Sequence, residues 1–308
     1  MMTTITRHLS TLLLTTLALA VAPASAQAES SHGAAPDALA GKTVLVTGST
    51  DGMGRQLAVE LAALGAQVIV HGRNAERGAE VVDEIEAAGH GSAVFHAADF
   101  ASLDNVREFA ATIRERHERL DLLINNAGIW RQADDESRRL SEDGHELVFA
   151  VNYLAGYLLS YELLPLLEHS APARIVNVAS GAQQPIDFDD VMLEQAFSPS
   201  RAYAQSKLAQ IIFTMDVAEE FAERGVTVTS LHPASLMDTT MVRLAGVPPR
   251  ATVEEGVEAV MQLAVSPALE GRTGLYFDGL KEARAHEQAY DASAQAALRA
   301  LSESLTAR

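Results

Sequence analysis

From Lys42 onward, short runs rich in β-branched and apolar residues alternate with longer stretches of helical periodicity. That alternation limits the fold more narrowly than any other feature. Runs at 43–47, 67–71, 93–97, 120–125, 174–179, 226–231 and 273–277 predict about seven strands. Helices are expected near 53–64, 74–88, 102–118, 142–169, 201–224, 253–264 and 284–305. Consecutive strands separated by a helix run parallel, because the crossover returns the chain to the same edge with right-handed topology. The expected fold class is therefore α/β, a doubly wound parallel sheet with helices on both faces. No Pro/Ser/Gly linker divides the chain after residue 40, so a single domain is expected.

Two local patterns sit on this scaffold. The first strand ends in Gly48, Ser49, Thr50, Asp51, Gly52, Met53 and Gly54, and a helix follows directly. Glycines there allow a sharp turn and let backbone N–H groups approach a pyrophosphate at the helix N-terminus. The spacing is G-x-x-x-G-x-G rather than G-x-G-x-x-G. The second pattern is Tyr203-x-x-x-Lys207 at the start of a long helix, where residues four apart share a face. A fixed positive charge beside a phenol favours the phenolate, drawing an acid of ordinary pKa ~10 towards neutrality.

The formal charge is −18, with 41 acidic against 23 basic residues. Such a surface repels nucleic acid and anionic membranes, so an anionic cofactor must be held by local features. The chain has no cysteine, which excludes disulfides, thiolate nucleophiles and cysteine-ligated metals. The acidic stretch at Asp187, Asp189 and Asp190 reads as a solvated loop, and no metal is expected. At the N-terminus, Arg7 and His8 precede an apolar run from Thr11 to Ala22 that ends in Ala24-Ser25-Ala26. Residues 1–26 read as a signal peptide, 27–40 as a flexible lead-in and 41–308 as the folded domain. The apolar run is shorter than the roughly 20 residues that span a bilayer, so no stable membrane span is expected. An exported location, periplasmic or secreted, follows; the alternative is a cytoplasmic protein or one tethered to a membrane by its N-terminus. A pyrophosphate-bearing cofactor sits awkwardly with export, because Arg7 stands alone where a twin-arginine signal carries two.

The glycine turn and the Tyr203–Lys207 pair together resemble the short-chain dehydrogenase/reductases, and within them the retinol-dehydrogenase-like branch, over residues 41–308. Further marks are Asp99 after the third strand, Asn125-Asn126-Ala127-Gly128 after the fourth, Asn152, Ser180 ending the fifth and Pro233 after the sixth. The resemblance implies a Rossmann-type sheet and hydride exchange between a nicotinamide and a hydrophobic alcohol or its aldehyde or ketone. In it Tyr203 is the acid/base, Lys207 binds the nicotinamide ribose, Ser180 holds the reacting oxygen and Asn152 holds a relay water. Asp99 and the neighbouring Phe100 face the adenine, Asn126, Ala127 and Gly128 line the cofactor, and Pro233 with Thr239 or Thr240 meets its nicotinamide and phosphates. The second strand ends in His71-Gly72-Arg73-Asn74 without the acid that binds a ribose 2′-hydroxyl. Arg73, with Asn74, suits a 2′-phosphate, so NADP(H) is expected over NAD(H).

Three departures mark this chain. Ser180 and Tyr203 are 23 positions apart, an insertion expected to lie beside the substrate. Pro233 is followed by Ala234 where glycine is common, and Met241 to Pro249 should form a lid. A competing class is a catalytically idle dinucleotide-binding redox sensor or interaction module, which would bind NADPH and turn nothing over. A serine hydrolase fails, since Val178 and Ala182 stand where G-x-S-x-G needs glycine. A homo-oligomer is left open.

Overall fold

The computed structural model describes residues 37–133 and 135–307; the expected signal peptide and most of the lead-in lie outside them. The chain runs β1 (Thr43–Val46), α1 (Gly52–Ala63), β2 (Gln67–Gly72), α2 (Ala75–Ala88), β3 (Ser92–Ala97), α3 (Leu103–Arg116) and β4 (Leu122–Asn125). There follow α4 (Leu147–Phe149), a π-helical turn (Ala150–Leu154), α5 (Ala155–His169), β5 (Ala173–Val178), α6 (Pro199–Ala222) and β6 (Val226–His232). The chain closes with α7 (Thr240–Leu244), α8 (Val253–Val265), β7 (Leu275–Asp278), β8 (Lys281–Ala283) and α9 (Ala292–Thr306). The strands form one sheet in the order β3-β2-β1-β4-β5-β6-β7-β8. The first seven strands in chain order pair in parallel, and β8 joins antiparallel through a turn at Gly279.

Both faces of the sheet are covered, and the pleat assigns residues to each. Leu45 and Ile69 pack with α3, α5 and α6, while Val44, Val46, Val68 and Val70 pack with α1 and α8. Each buried aliphatic side chain contributes about 1.5–3 kcal/mol, so the near-continuous apolar strands are what a sheet buried on both sides requires.

Three expectations are corrected. The sheet has eight strands rather than about seven, because Lys281–Ala283 is too short and charged to show a strand pattern. The helix expected over 142–169 begins only at Leu147, where both Glu146 oxygens accept from Val148 and Phe149 N–H, and it passes through the π turn before α5. The last helix starts at Ala292, where Asp291 caps it, after a 3₁₀ turn at Glu287–Tyr290. Part of the expected lid is helical, as α7. The segment Leu147–His169 is long and apolar enough to cross a membrane, but 72% of its apolar window is buried inside the fold. Its apolar surface is spent on α3 and α6.

The strand order reverses between β1 and β4. In open parallel sheets the crevice beyond the carboxyl ends of such strands is where ligands bind.

Candidate functional site

The glycine turn leaves β1 at that crevice. Gly48 has φ +66°, and a Cβ there would come within 2.9 Å of the Ala127 backbone, so the β1 and β4 loops touch at this point. A Cβ on Gly54 would sit 2.3 Å from the Gly48 carbonyl oxygen and 2.5 Å from Asn126 Nδ2. The two loops are also laced by hydrogen bonds. Asn126 Nδ2 donates to the carbonyls of Thr47 and Gly48, and Thr47 Oγ1 accepts from the amides of Asn126 and Ala127. The Asn126 side chain thus holds the turn itself.

One residue that sequence reasoning passed over anchors this turn. His71 Nδ1 accepts from Gly48 N–H at 3.0 Å. Its backbone carbonyl accepts from Ser49 N–H at 2.8 Å, and its own N–H donates to Ser49 Oγ. Its ring is stacked on Phe100 with centroids 4.2 Å apart. Burial pushes its pKa down to about 3, so the ring is neutral and able to accept. In the sequence, His71 is one residue in a strand; only the β1–β2 register places it under the glycine turn.

With Gly48 and Ser49 tied to His71, and Gly52 N–H bonded to Asp51 Oδ1, the amides of Thr50, Asp51, Met53 and Gly54 have no partner among the described residues. Free amides at the N-terminus of a 12-residue helix fit an anionic pyrophosphate. Beyond β2 and β3 lies a groove of about 450 Å³ lined by Arg73, Asp99, Asn105 and Phe109. Arg73 and Asp99 approach to 3.6 Å, and Arg77 on α2 reaches Asp51 at 3.2 Å. Asn74 caps α2 by accepting from Arg77 N–H, so its carboxamide is partly committed. The side chains of Phe100, Met53 and Ser49 are buried, so only their backbone could meet a ligand. Thr239 lies against the turn, since a Cβ on Gly52 would come within 3.3 Å of its methyl. Thr240 instead opens α7. Past the buried Pro233, the left-handed backbone falls at Leu236 (φ +53°), two residues beyond Ala234.

Ser180, Tyr203, Lys207 and Asn152 come together on β5, α6 and the π turn. Ser180 Oγ accepts from Ala182 N–H, and its side chain draws the Tyr203 pKa down. Lys207 Nζ lies 5.7 Å from the Tyr203 ring centroid and donates to the Val178 carbonyl at 2.8 Å and Gln210 Oε1 at 2.9 Å. The expectation that the ammonium makes this phenol more acidic is corrected. Tyr203 is half-buried, and desolvation raises its pKa, opposed only by the Ser180 side chain. Burial likewise pushes Lys207 down to about 7. In a low-dielectric pocket both groups favour their neutral forms.

Asn152 accepts from Ile129 N–H and donates to the Ile129 carbonyl and Ser206 Oγ. Both its donors are in use, so a relay water could reach only the remaining lone pair of its oxygen. Gly128 is beside it: a Cβ there would stand 3.5 Å from Asn152 Oδ1 and 3.6 Å from Lys207 Nζ. The insertion before Tyr203 is pinned to the C-terminal segment through Gln183 with Tyr276 and His286, and through Gln288 with Ile186. Asp190, expected to be solvated, folds back to accept from the amides of Glu194, Gln195 and Ala196.

A sheet reversal, free amides at a helix N-terminus and a tyrosine, serine and lysine brought together fit the class of dinucleotide-dependent α/β oxidoreductases. The short chain dehydrogenase family model matches residues 42–246. Retinol dehydrogenase 14 of Homo sapiens is 36% identical over 301 residues, covering 88% of each chain. Polyprenol dehydrogenase of Mus musculus is 37% identical over 262 residues, covering 79% of this chain and 77% of that one. A solved short chain dehydrogenase from Shigella flexneri, complexed with NADP, superposes with a TM-score of 0.65 at 26% identity, covering 80% of this chain and all of that one. The chain belongs to the short-chain dehydrogenase/reductase family, in its retinol-dehydrogenase-like branch, and is an NAD(P)-dependent oxidoreductase acting on alcohols.

Proposed function

We propose that the protein interconverts a hydrophobic alcohol and its aldehyde or ketone with NADP(H), using Tyr203 as the acid/base. The observation that carries this reading is Lys207 Nζ held 5.7 Å from the Tyr203 ring centroid, with Ser180 acting on the same phenol. Ser180 would orient the substrate oxygen, and Tyr203, held protonated by burial, would give it a proton during carbonyl reduction or take one during oxidation. Lys207 would bind ribose hydroxyls, with Gln210 and Val178 fixing its direction. Asn152 would hold the loop carrying Gly128 and Ile129 against α6. When bound, the nicotinamide supplies the hydride.

The turn residues Gly48, Ser49, Thr50, Asp51, Gly52, Met53 and Gly54 would hold the pyrophosphate. Asp99 and the Phe100 backbone would hold the adenine. Asn126, Ala127, Gly128, Pro233 and Thr239 would line the remainder. Arg73 and Asn74 beside the groove favour a 2′-phosphate, a reading supported by the NADP-complexed relative. The names of the retinol and polyprenol dehydrogenases support an apolar alcohol. Residues 1–26 are read as a cleaved export signal, and the mass of the mature N-terminus tests that.

The decisive experiment is Tyr203→Phe in protein that still folds and binds cofactor. Loss of general acid catalysis should lower kcat by about 10²–10⁴-fold. Undiminished turnover would overturn the reading.

A further inference from the structure

Arg131 is a half-buried cation that makes no ion pair or hydrogen bond among the described residues, and its Nε is fully enclosed without a partner. Its guanidinium lies 5.6 Å over the ring of Trp130. Trp130 in turn stands with its ring centroid 5.5 Å from that of Tyr203, and its own Nε1 is enclosed without a partner. One orphaned donor thus belongs to the ring beside Tyr203 and the second to the next residue in the chain. They line one small cleft together with Ser137, Arg139, Phe197 and Pro199.

The other charges lining that cleft are committed. Asp135 accepts from Ser137 N–H and Oγ–H and approaches Arg139 at 3.8 Å. Glu146 spends both oxygens on the amides of α4. In a chain of net charge −18, where acids outnumber bases, a cation without a counter-ion among the described residues is an unusual residue to hold half out of water. The partner that suits it is an anion.

We propose that Arg131 is the binding residue for a carboxylate on the far end of the substrate, so that the preferred substrate is an apolar carbonyl compound terminating in a carboxylate. This rests on the Tyr203 reading above, because that reading fixes which end of the substrate reacts. The two ring-to-ring and ring-to-cation steps of 5.5 and 5.6 Å place the guanidinium no more than about 11 Å from the tyrosine ring. A medium-length aliphatic chain bridges that distance. Trp130 forms the apolar wall between, and the planar guanidinium fork takes the carboxylate.

The test uses the full chain and two readouts. Turnover with NADPH is compared for octanal, suberic semialdehyde and the methyl ester of that semialdehyde, which differ only in the terminal group. Wild type should show kcat/KM for the semialdehyde about tenfold above octanal and the ester, and Arg131→Gln should bring the three together by lowering the semialdehyde alone. Independently, Trp130 is the only tryptophan in the chain, so its fluorescence reports directly on the cation above it. Octanoate should perturb that fluorescence saturably and octanol about tenfold more weakly, with the difference gone in Arg131→Gln. Equal response to octanoate and octanol, or an unchanged preference in Arg131→Gln, overturns the proposal, as does an equal loss for all three aldehydes. A fluorescence preference for octanoate without turnover of any aldehyde supports the carboxylate site and sinks only the catalytic reading.

Discussion

Replacing His71 tests whether a strand residue outside the glycine motif sets cofactor affinity. His71→Leu keeps apolar bulk against Phe100 but removes the ring nitrogen that accepts from Gly48 N–H at 3.0 Å. The amide of half-buried Gly48 is left without its acceptor, and an unsatisfied donor costs up to about 1–3 kcal/mol when water cannot reach it. If the turn relaxes to recover that cost, the free amides of Thr50 and Asp51 lose their arrangement, and the whole amount appears in cofactor binding. That corresponds to about 5–150-fold in Kd. His71→Asn places a carbonyl oxygen near the position of Nδ1 and should recover most of the loss. The measurement is NADPH binding by fluorescence titration, with kcat and the cofactor KM from initial rates and Tm recorded for each variant. A positioning role raises KM for NADPH in the leucine variant while kcat falls little. If the leucine variant binds NADPH normally, or if asparagine restores nothing, His71 does not position the turn.

Gly54→Ala forces a methyl to 2.3 Å from a backbone carbonyl and 2.5 Å from Asn126 Nδ2. Overpacking of this kind costs about 1–3 kcal/mol, so Tm should fall by several degrees and cofactor binding should weaken with it; an unaltered Tm would refute the close approach. Arg73→Ala should lower the ratio of kcat/KM with NADPH to that with NADH by about tenfold, the effect being moderated because the side chain is 67% exposed. A ratio that does not move would remove Arg73 from the 2′-phosphate. For Lys207, burial brings the folded value to about 7, below the ordinary 10.5. Between those values the unfolded chain binds more protons, so this group opposes folding below about pH 7 and the opposition fades as pH rises towards 10.5. Lys207→Met should therefore gain most on wild type in urea unfolding near pH 6 and least near about pH 9.5. A margin that widens with pH would contradict the direction of the shift.

What the sequence by itself determined is whatever depends on neighbours along the chain. The short apolar runs and the period-3.6 patterns specified seven of the eight strands and the covering helices, because each is a local hydrophobic signal. The glycine turn and the Tyr203–Lys207 pair were legible for the same reason, being one tight turn and one step of a helix. Lys281–Ala283 was not, because its strand character comes only from pairing with β7. Tertiary structure alone decided the rest. His71 meets Gly48 through the register of β1 with β2, and Trp130 meets Tyr203 across β4 and α6. It also reversed the expected acidity of Tyr203. A lysine four residues away can be read from spacing, but the low-dielectric surroundings that favour the neutral phenol are assembled from β5, α6 and the loop after β4, and no stretch of sequence carries that sum.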